Sequence, residues 1–236
     1  MWDRPELLTV IANFLYGVAA VALMYIVLLT VIHLPVFPVR EVKVVGSVSQ
    51  VTRAQIDAVV HRELRGNFFT IHLDDSRLAF EKLPWVRRAQ LRRHWPDRLE
   101  VVLEEHEALA RWGDDGLVNT HGEIFAAASD AKLPVFSGPR EASAEIATNY
   151  HRFRALIESL GFQLAAVEVS DRRAWRLRLE DGMALELGRE KMTERLAKFV
   201  SVYAASVGRM REQPQIVDLR YPNGFAARVR TMGNGA

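Results

Sequence analysis

The feature that most constrains this chain is an uncharged, apolar stretch from Leu7 to Ile32. As a helix, this stretch would rise about 39 Å at roughly 1.5 Å per residue, which exceeds the roughly 30 Å hydrocarbon core of a bilayer. A cleaved signal peptide would have an apolar region of only about 7–15 residues, followed by small residues at a cleavage site. Here "HLPVFPVREV" follows instead. The sequence therefore predicts a membrane helix over 7–34 that is not cleaved, behind a short tail over 1–6.

The Lys/Arg distribution does not settle the orientation of this helix. Arg4 precedes the helix, whereas Arg40 and Lys43 follow it, which leans weakly toward a cytoplasmic C-terminal part. Long translocated domains often disregard such charges. The side of the membrane is therefore left open by the residues alone.

Behind the anchor, the pattern predicts a compact domain over 37–107 in the order β-α-α-β-β, with two helices on a three-stranded sheet. The last strand shows the alternation well, because Leu99, Val101 and Leu103 share one face. Thr52 is the expected N-cap of the first helix, and Asp74 or Asp75 that of the second. The predicted elements are a strand in 39–45, a helix from 52 to 66, a helix in 74–83, and strands over 86–93 and 99–105.

From residue 108 to 230 the pattern changes to short strands separated by turn signals, with two amphipathic helices between them. We expect a mixed α/β domain with a largely antiparallel sheet, so the fold class of the whole chain is α+β. The tail over 231–236 is predicted to be flexible. The predicted elements are a helix over 141–160 stopped by Gly161, a hairpin folded at Asp181–Gly182, a helix over 192–207, and a terminal hairpin over 217–230.

Composition excludes several classes of function. The net charge of +2 and pI near 9.0 are too mild for a nucleic-acid partner, and the absence of cysteine removes thiolates as metal ligands or nucleophiles. The seven histidines are scattered, without an H-E-x-x-H motif. "EEHE" (104–107) lies in a predicted strand, where adjacent side chains point to opposite faces. We therefore expect neither a metal nor another cofactor.

Two further motifs have unremarkable interpretations. "RRAQLRRHWPDR" places five arginines within twelve residues, which is compatible with nucleic acid or lipid headgroups, but alternation divides them over both faces of a sheet. An ion-paired, solvated sheet explains them better. Ser129–Lys132 fits the S-x-x-K motif of penicillin-binding proteins, but it lies in a predicted loop, and the companion S-D-N and K-T-G motifs are missing.

The segment "VDLRYPNGFAARVR" (217–230) reads as two alternating strands around a tight turn at Pro222–Gly224. Phe225, Ala227 and Val229 would share one face, and Ala226 and Arg228 the other. Taken alone, these residues favour a closing β-hairpin. A strand at a sheet edge nevertheless presents unpaired N–H and C=O groups, which a partner's backbone can bind.

Nearly the whole chain resembles the FtsQ/DivIB family of bacterial cell-division proteins. "LPWVRRAQLRRHWPDRLEVVLEEHEALARW" is similar to the POTRA domain of that family, and "GLVNTHGEIF", "LPVFSGP", "LELGRE" and "VDLRYPNG" resemble successive motifs of its second, β domain. Two positions depart from the pattern. Ala108 stands where proline is frequent, and Val229 stands where some members carry tryptophan in the last strand.

The resemblance implies a non-enzymatic scaffold of the inner membrane, with its bulk in the periplasm at the division septum. It implies binding of FtsB, and of FtsL through FtsB, possible contacts of the POTRA domain with FtsK and other early division proteins, and a part in controlling septal peptidoglycan synthesis. By position, Arg220 and Arg172 match salt-bridging arginines. The implied partner-binding residues are Arg220, Tyr221, Asn223, Gly224, Phe225, Ala226, Ala227, Arg228, Val229 and Arg172.

Two other functions remain open at this stage. A POTRA-type transport or assembly factor would bind polypeptides by strand addition, but it would carry several POTRA repeats or a membrane barrel. A membrane-anchored cell-wall hydrolase would need a pocket with a nucleophile and a base, or with a metal.

Overall fold

The computed structural model describes residues 5–34, 37–46, 48–114, 116–222 and 224–229. The chain divides into two compact units, Met1–Glu105 and His106–Ala236. Most of the predicted tail over 1–6 and all of the tail over 231–236 lie outside the described residues. The α+β class predicted from the sequence is confirmed.

The first element is helix α1, Pro5–His33. Within it, Thr9–His33 has a mean hydropathy of 2.5, and none of its most apolar window is buried against protein. A helix that is apolar all round and uncovered needs an apolar solvent. This confirms the predicted membrane helix, which begins at Pro5 rather than at residue 7.

The rest of the first unit forms a three-stranded sheet covered by two helices. Its core comprises apolar residues that alternate along the strands, with Val101 completely buried and Leu99 nearly so. β1 pairs parallel with β3, and β2 pairs antiparallel with β3, giving the order β1-β3-β2. The elements are β1 (Glu41–Val45), α2 (Arg53–Glu63), α3 (Leu73–Glu81), β2 (Val86–His94) and β3 (Arg98–Glu105).

The helix starts of this unit confirm one expectation and correct another. Thr52 caps α2 in a capping box, in which its side chain accepts a bond from the Gln55 backbone N–H and the Gln55 side chain accepts one from the Thr52 N–H. The prediction that Asp74 or Asp75 caps α3 is wrong. The N-cap is His72, and both carboxylates lie in the first turn, where they favour the positive end of the helix dipole.

The second unit is built on a mixed nine-stranded sheet in the order β12-β11-β10-β9-β8-β7-β4-β5-β6. Most neighbouring pairs are antiparallel, whereas β10–β11, β7–β8 and β4–β7 are parallel. The strands are β4 (Ala108–Trp112), β5 (Gly116–Asn119), β6 (Ile124–Phe125), β7 (Val135–Ser137), β8 (Leu164–Val169), β9 (Trp175–Leu179), β10 (Ala184–Gly188), β11 (Ile216–Asp218) and β12 (Ala226–Arg228).

Helices α4 (Ser143–Glu158) and α5 (Met192–Val202) contribute to the core of this sheet. Phe153, Ile157 and Leu196 are fully buried there. Both helices are shorter than predicted, because a 3₁₀ turn precedes α4 and two 3₁₀ turns follow α5. The predicted hairpin at Asp181–Gly182 is present between β9 and β10.

The terminal hairpin differs from its prediction. β11 and β12 pair antiparallel, but each has only three residues, and the segment 219–225 joins them. Seven residues therefore connect the two strands, and the turn predicted at Pro222–Gly224 includes Asn223, which lies outside the described residues.

Candidate functional site: the terminal sheet edge

The candidate site is the edge of the second unit formed by β12, the terminal strand of the sheet. Leu219 N–H donates to Glu186 O of β10 at 2.9 Å. Since successive residues of a strand direct their backbone groups to alternate edges, Val217 also faces β10, whereas Ile216 and Asp218 face β12. In the observed register, Ile216 is opposite Arg228 and Asp218 is opposite Ala226.

This register identifies the backbone groups that β12 leaves open. Arg228 O accepts from Gln215 N–H at 2.9 Å, so the peptide groups of Arg228 and Ala226 face inward to β11. By alternation, Ala227 directs both its N–H and its C=O away from the sheet. Ala227 is thus the residue at which an added strand would form its main-chain hydrogen bonds.

One face of the hairpin borders a groove of about 720 Å³ between α5 and the 219–225 loop. Phe199 of α5 contacts Phe225 edge to face, with ring centroids 5.5 Å apart. Val202 and the 57% exposed Tyr221 are also among its lining residues. The groove contains cationic groups as well, including Lys198, whose Nζ lies 3.4 Å from Pro222 O. It therefore combines an apolar surface with positive charge.

The other face carries a charged cluster around Arg220. The Arg220 guanidinium donates to both carboxylate oxygens of Asp218, at 2.8 and 2.6 Å, and lies 3.5 Å from Glu186. The hydrogen bond from Arg220 lowers the pKa of Asp218, and the same bond raises the pKa of Arg220. Arg220 is therefore already paired within the chain and held in place beside the exposed side chains of Ala226 and Arg228.

This cluster is the end of a row of charged residues across the sheet. Arg176 of β9 contacts Glu186 of β10 at 2.8 Å and Glu168 of β8 at 3.8 Å, and Arg178 contacts Glu168 at 3.0 Å. In register, Glu168, Arg176, Glu186 and Asp218 are successive partners, and Ala226 follows on β12. The row thus ends in a small side chain at the open edge.

Gly224 has no packing reason to be glycine. A Cβ built on it would meet nothing within 4 Å. By contrast, Gly122 is required by the fold, because a Cβ there would lie 2.4 Å from Ala144 Cα. A glycine that the fold does not need, beside an open edge, is suited to close approach by another chain.

The remaining predicted site residues fall in three places. Phe225, Ala227 and Val229 are half-buried on one side of the strand, as the alternation predicts. Arg172 is exposed in the β8–β9 turn, whose Ser170 and Ala174 line a depression together with Arg220. Asn223 lies outside the described residues.

The motifs set aside in the sequence have structural roles. Glu105 of "EEHE" accepts from the backbone N–H groups of Ser49, Gln50 and Val51 at 2.7–3.0 Å. Burial raises the pKa of Glu105, but these hydrogen bonds outweigh that effect and lower it overall. Across the described ranges, no three His, Asp or Glu side chains are placed to hold a metal ion. In the S-x-x-K match, Lys132 pairs with Glu180 at 2.7 Å.

Sequence reasoning missed the partners that the hairpin acquires in three dimensions. Lys198, Phe199 and Val202 of α5 line the groove, and Asp218 and Glu186 hold Arg220. The amphipathic pattern of α5 identified the helix but did not show what it lies beside. An aspartate two residues before Arg220 was the available signal for the pairing.

This architecture defines a class: a membrane-anchored protein with a β-α-α-β-β unit and a second, mixed-sheet unit in which, among the described residues, the last strand β12 pairs on one side only. Comparison with family models agrees. Residues 37–106 match "POTRA domain, FtsQ-type", and residues 110–220 match "Cell division protein FtsQ/DivIB, C-terminal". The second match ends at Arg220, so the 221–229 segment lies beyond it.

Individual relatives cover almost the whole chain. The cell division protein FtsQ of Nitrosospira multiformis is 46% identical over 97% of this chain and 99% of its own length. The FtsQ proteins of Burkholderia pseudomallei and Bordetella pertussis are 37% and 31% identical, over 98% and 96% of this chain and 96% and 92% of their own lengths. The chain belongs to the FtsQ/DivIB family of bacterial cell-division proteins, and its role is in the divisome.

Proposed function

We propose that this protein is a non-enzymatic divisome scaffold of the inner membrane that docks FtsB, and FtsL through FtsB, on the β12 edge. Its two folded units lie in the periplasm at the division septum, over 37–107 and 108–230. There it helps to control septal peptidoglycan synthesis. Its POTRA unit is the proposed contact for FtsK and other early division proteins.

The observation that carries the docking proposal is the outward direction of the Ala227 peptide groups on a terminal strand. Exposed strand edges are normally protected, because they template pairing with other chains. Here Ala226 and Ala227 have small side chains, and Gly224, two residues before Ala226, has none. A partner backbone therefore has room to approach and exchange hydrogen bonds.

The two faces of the hairpin supply recognition beyond the backbone. On one side, an apolar side chain of the partner would enter the groove between Phe199, Tyr221 and Phe225. On the other side, acidic side chains would meet Arg228 and would compete with Asp218 and Glu186 for Arg220, and Arg172 in the neighbouring β8–β9 turn would add a further cation. An acidic, amphipathic extended segment fits both faces.

The test is binding of a peptide from the periplasmic part of FtsB to the purified protein. Tyr221→Ala removes the exposed ring at the groove, and Gly224→Asp places a carboxylate where a partner backbone would approach. Both variants should abolish binding. Both should leave the circular dichroism spectrum unchanged, because the Tyr221 ring is mostly exposed and a Cβ at position 224 meets no other atom within 4 Å. Ala155→Asp, at an exposed position of α4, controls for a surface charge. Unaltered binding by the first two variants would refute the edge as the docking site.

A further inference from the structure

The end of the first unit at which the membrane helix terminates is held together by Asn67. This side chain is only 5% exposed, and its amide donates to Ile32 O at 2.6 Å and to Leu34 O at 3.0 Å. The last carbonyls of a helix have no partner within the helix. Asn67 satisfies one of them, and it thereby fixes the 66–72 loop directly at the end of the membrane span.

The β2–β3 turn belongs to the same end of the unit. Arg40 N–H donates to Asp97 O at 2.9 Å, and the Arg93 guanidinium donates to Ile71 O at 2.6 Å. The first bond joins the turn to Arg40, which follows α1 in the chain. The second joins the end of β2, just before the turn, to the 66–72 loop that Asn67 holds. Trp95 therefore lies in a turn that is tied to the end of α1 from two directions.

Aromatic side chains are exposed at this end. Trp95 is 80% exposed, Phe69 44% and Phe37 37%. Phe37 and Phe69 contact edge to face, with centroids 5.2 Å apart. In the sequence, Arg92 and Arg98 flank Trp95 within three residues on either side. Tryptophan with neighbouring arginine is the composition that proteins place at the level of lipid headgroups.

We propose that this end of the POTRA unit lies in the headgroup region of the bilayer that α1 spans, with Trp95 inserted at the interface. The occupant of the aromatic surface is the lipid itself. The interfacial layer is about 5–7 Å thick on each side of the hydrocarbon core. Because Asn67 is within hydrogen-bond distance of Leu34, the loop that carries Phe69 begins inside that layer. The inference does not depend on the docking edge.

The experiment uses the full chain in proteoliposomes whose lipids carry a nitroxide near the headgroup, which quenches nearby tryptophan. The Trp95 contribution is the difference in fluorescence between the wild type and Trp95→Phe. We expect the nitroxide to reduce that contribution about twofold or more, because an interfacial tryptophan lies at the level of the headgroups that carry the quencher. The exposure of Trp95 means that this substitution removes little packing.

The matched control is Ala54→Trp in the Trp95→Phe background. Ala54 is exposed at the start of α2, next to the 49–51 segment that Glu105 binds at the other end of β3. The eight residues of β3 place that end roughly 25 Å away from the turn. Tryptophan at 54 should not be quenched. Equal quenching at 54 and 95 would overturn the proposal. So would an absence of quenching at 95, which is the result expected if a second copy of the chain, rather than lipid, covers Trp95.

Discussion

Ala227→Pro tests the docking edge at the level of single backbone atoms. Proline has no N–H, and its ring occupies the space into which an outward N–H would point. In the folded protein, Ala227 N–H makes no bond to β11, because Ala226 and Arg228 face that strand. The substitution therefore removes a group that β11 does not use and that a docked partner would bind.

The magnitude follows from the hydrogen bond that is lost. A net main-chain bond contributes about 0.5–1.5 kcal/mol, and the partner carbonyl that is left unpaired costs about 1–3 kcal/mol. Because the substitution leaves that carbonyl unpaired, the larger figure applies, and a loss of about 1–3 kcal/mol corresponds to a roughly 5- to 150-fold weaker Kd. Isothermal titration calorimetry with the FtsB peptide measures this change directly.

Two matched variants make the result interpretable. Ala227→Ser keeps the N–H and should bind within about twofold of the wild type, because it adds only a small group at the edge. Ala226→Pro removes an N–H that faces β11 and should lower the thermal midpoint, whereas Ala227→Pro should not. If Ala227→Pro folds normally and its Kd is unchanged, partner binding does not use this edge.

Further predictions concern stability, measured by thermal unfolding of the detergent-solubilised protein. Glu105→Gln should lower the free energy of unfolding by about 1–2 kcal/mol, because the charged acceptor of three backbone N–H groups is lost; an unchanged midpoint would contradict that role. Thr52→Ala should cost about 1 kcal/mol through loss of the capping box, whereas Thr148→Ala, on the exposed side of α4, should cost less. Since the pKa values of Glu105 and Asp218 are both lowered in the folded state, their stabilisation should be complete above the ordinary carboxyl pKa of about 4 and should be lost as pH falls below it. In Glu105→Gln, the Glu105 part of this acid sensitivity should disappear, and an identical pH profile would refute it.

Local signals predicted most of the secondary structure. The charge-free stretch gave α1, alternation gave β3, and the Thr52–Gln55 pair gave the start of α2. These features depend on residues close in the sequence, so a single chain reveals them. The cap of α3 was misassigned because two aspartates in the first turn satisfy the same compositional preference as one at the N-cap.

The site was predicted less completely, for a physical reason. The residues of the terminal hairpin were identified, but the groove between its 219–225 loop and α5 was not, because that groove depends on how α5 packs beside the loop. Whether the backbone N–H and C=O of Ala226 or those of Ala227 point away from the sheet depends on two pairings. These are the register of β12 with β11 and the pairing of β11 with β10. That information lies in long-range pairings that alternation along one strand does not contain.

The shortness of β12 determines how the edge can work. β12 has three residues, and only Ala227 directs its N–H and C=O outward. An added strand would therefore gain two main-chain hydrogen bonds with β12, or about 1–3 kcal/mol in total. A micromolar complex requires about 8 kcal/mol. The backbone pairing therefore sets the register and direction of the partner, and most of the affinity has to come from the two faces of the hairpin. For this reason Tyr221→Ala, which removes an exposed aromatic ring from the groove, should weaken binding more than Ala227→Pro, although only the proline variant acts on the edge itself.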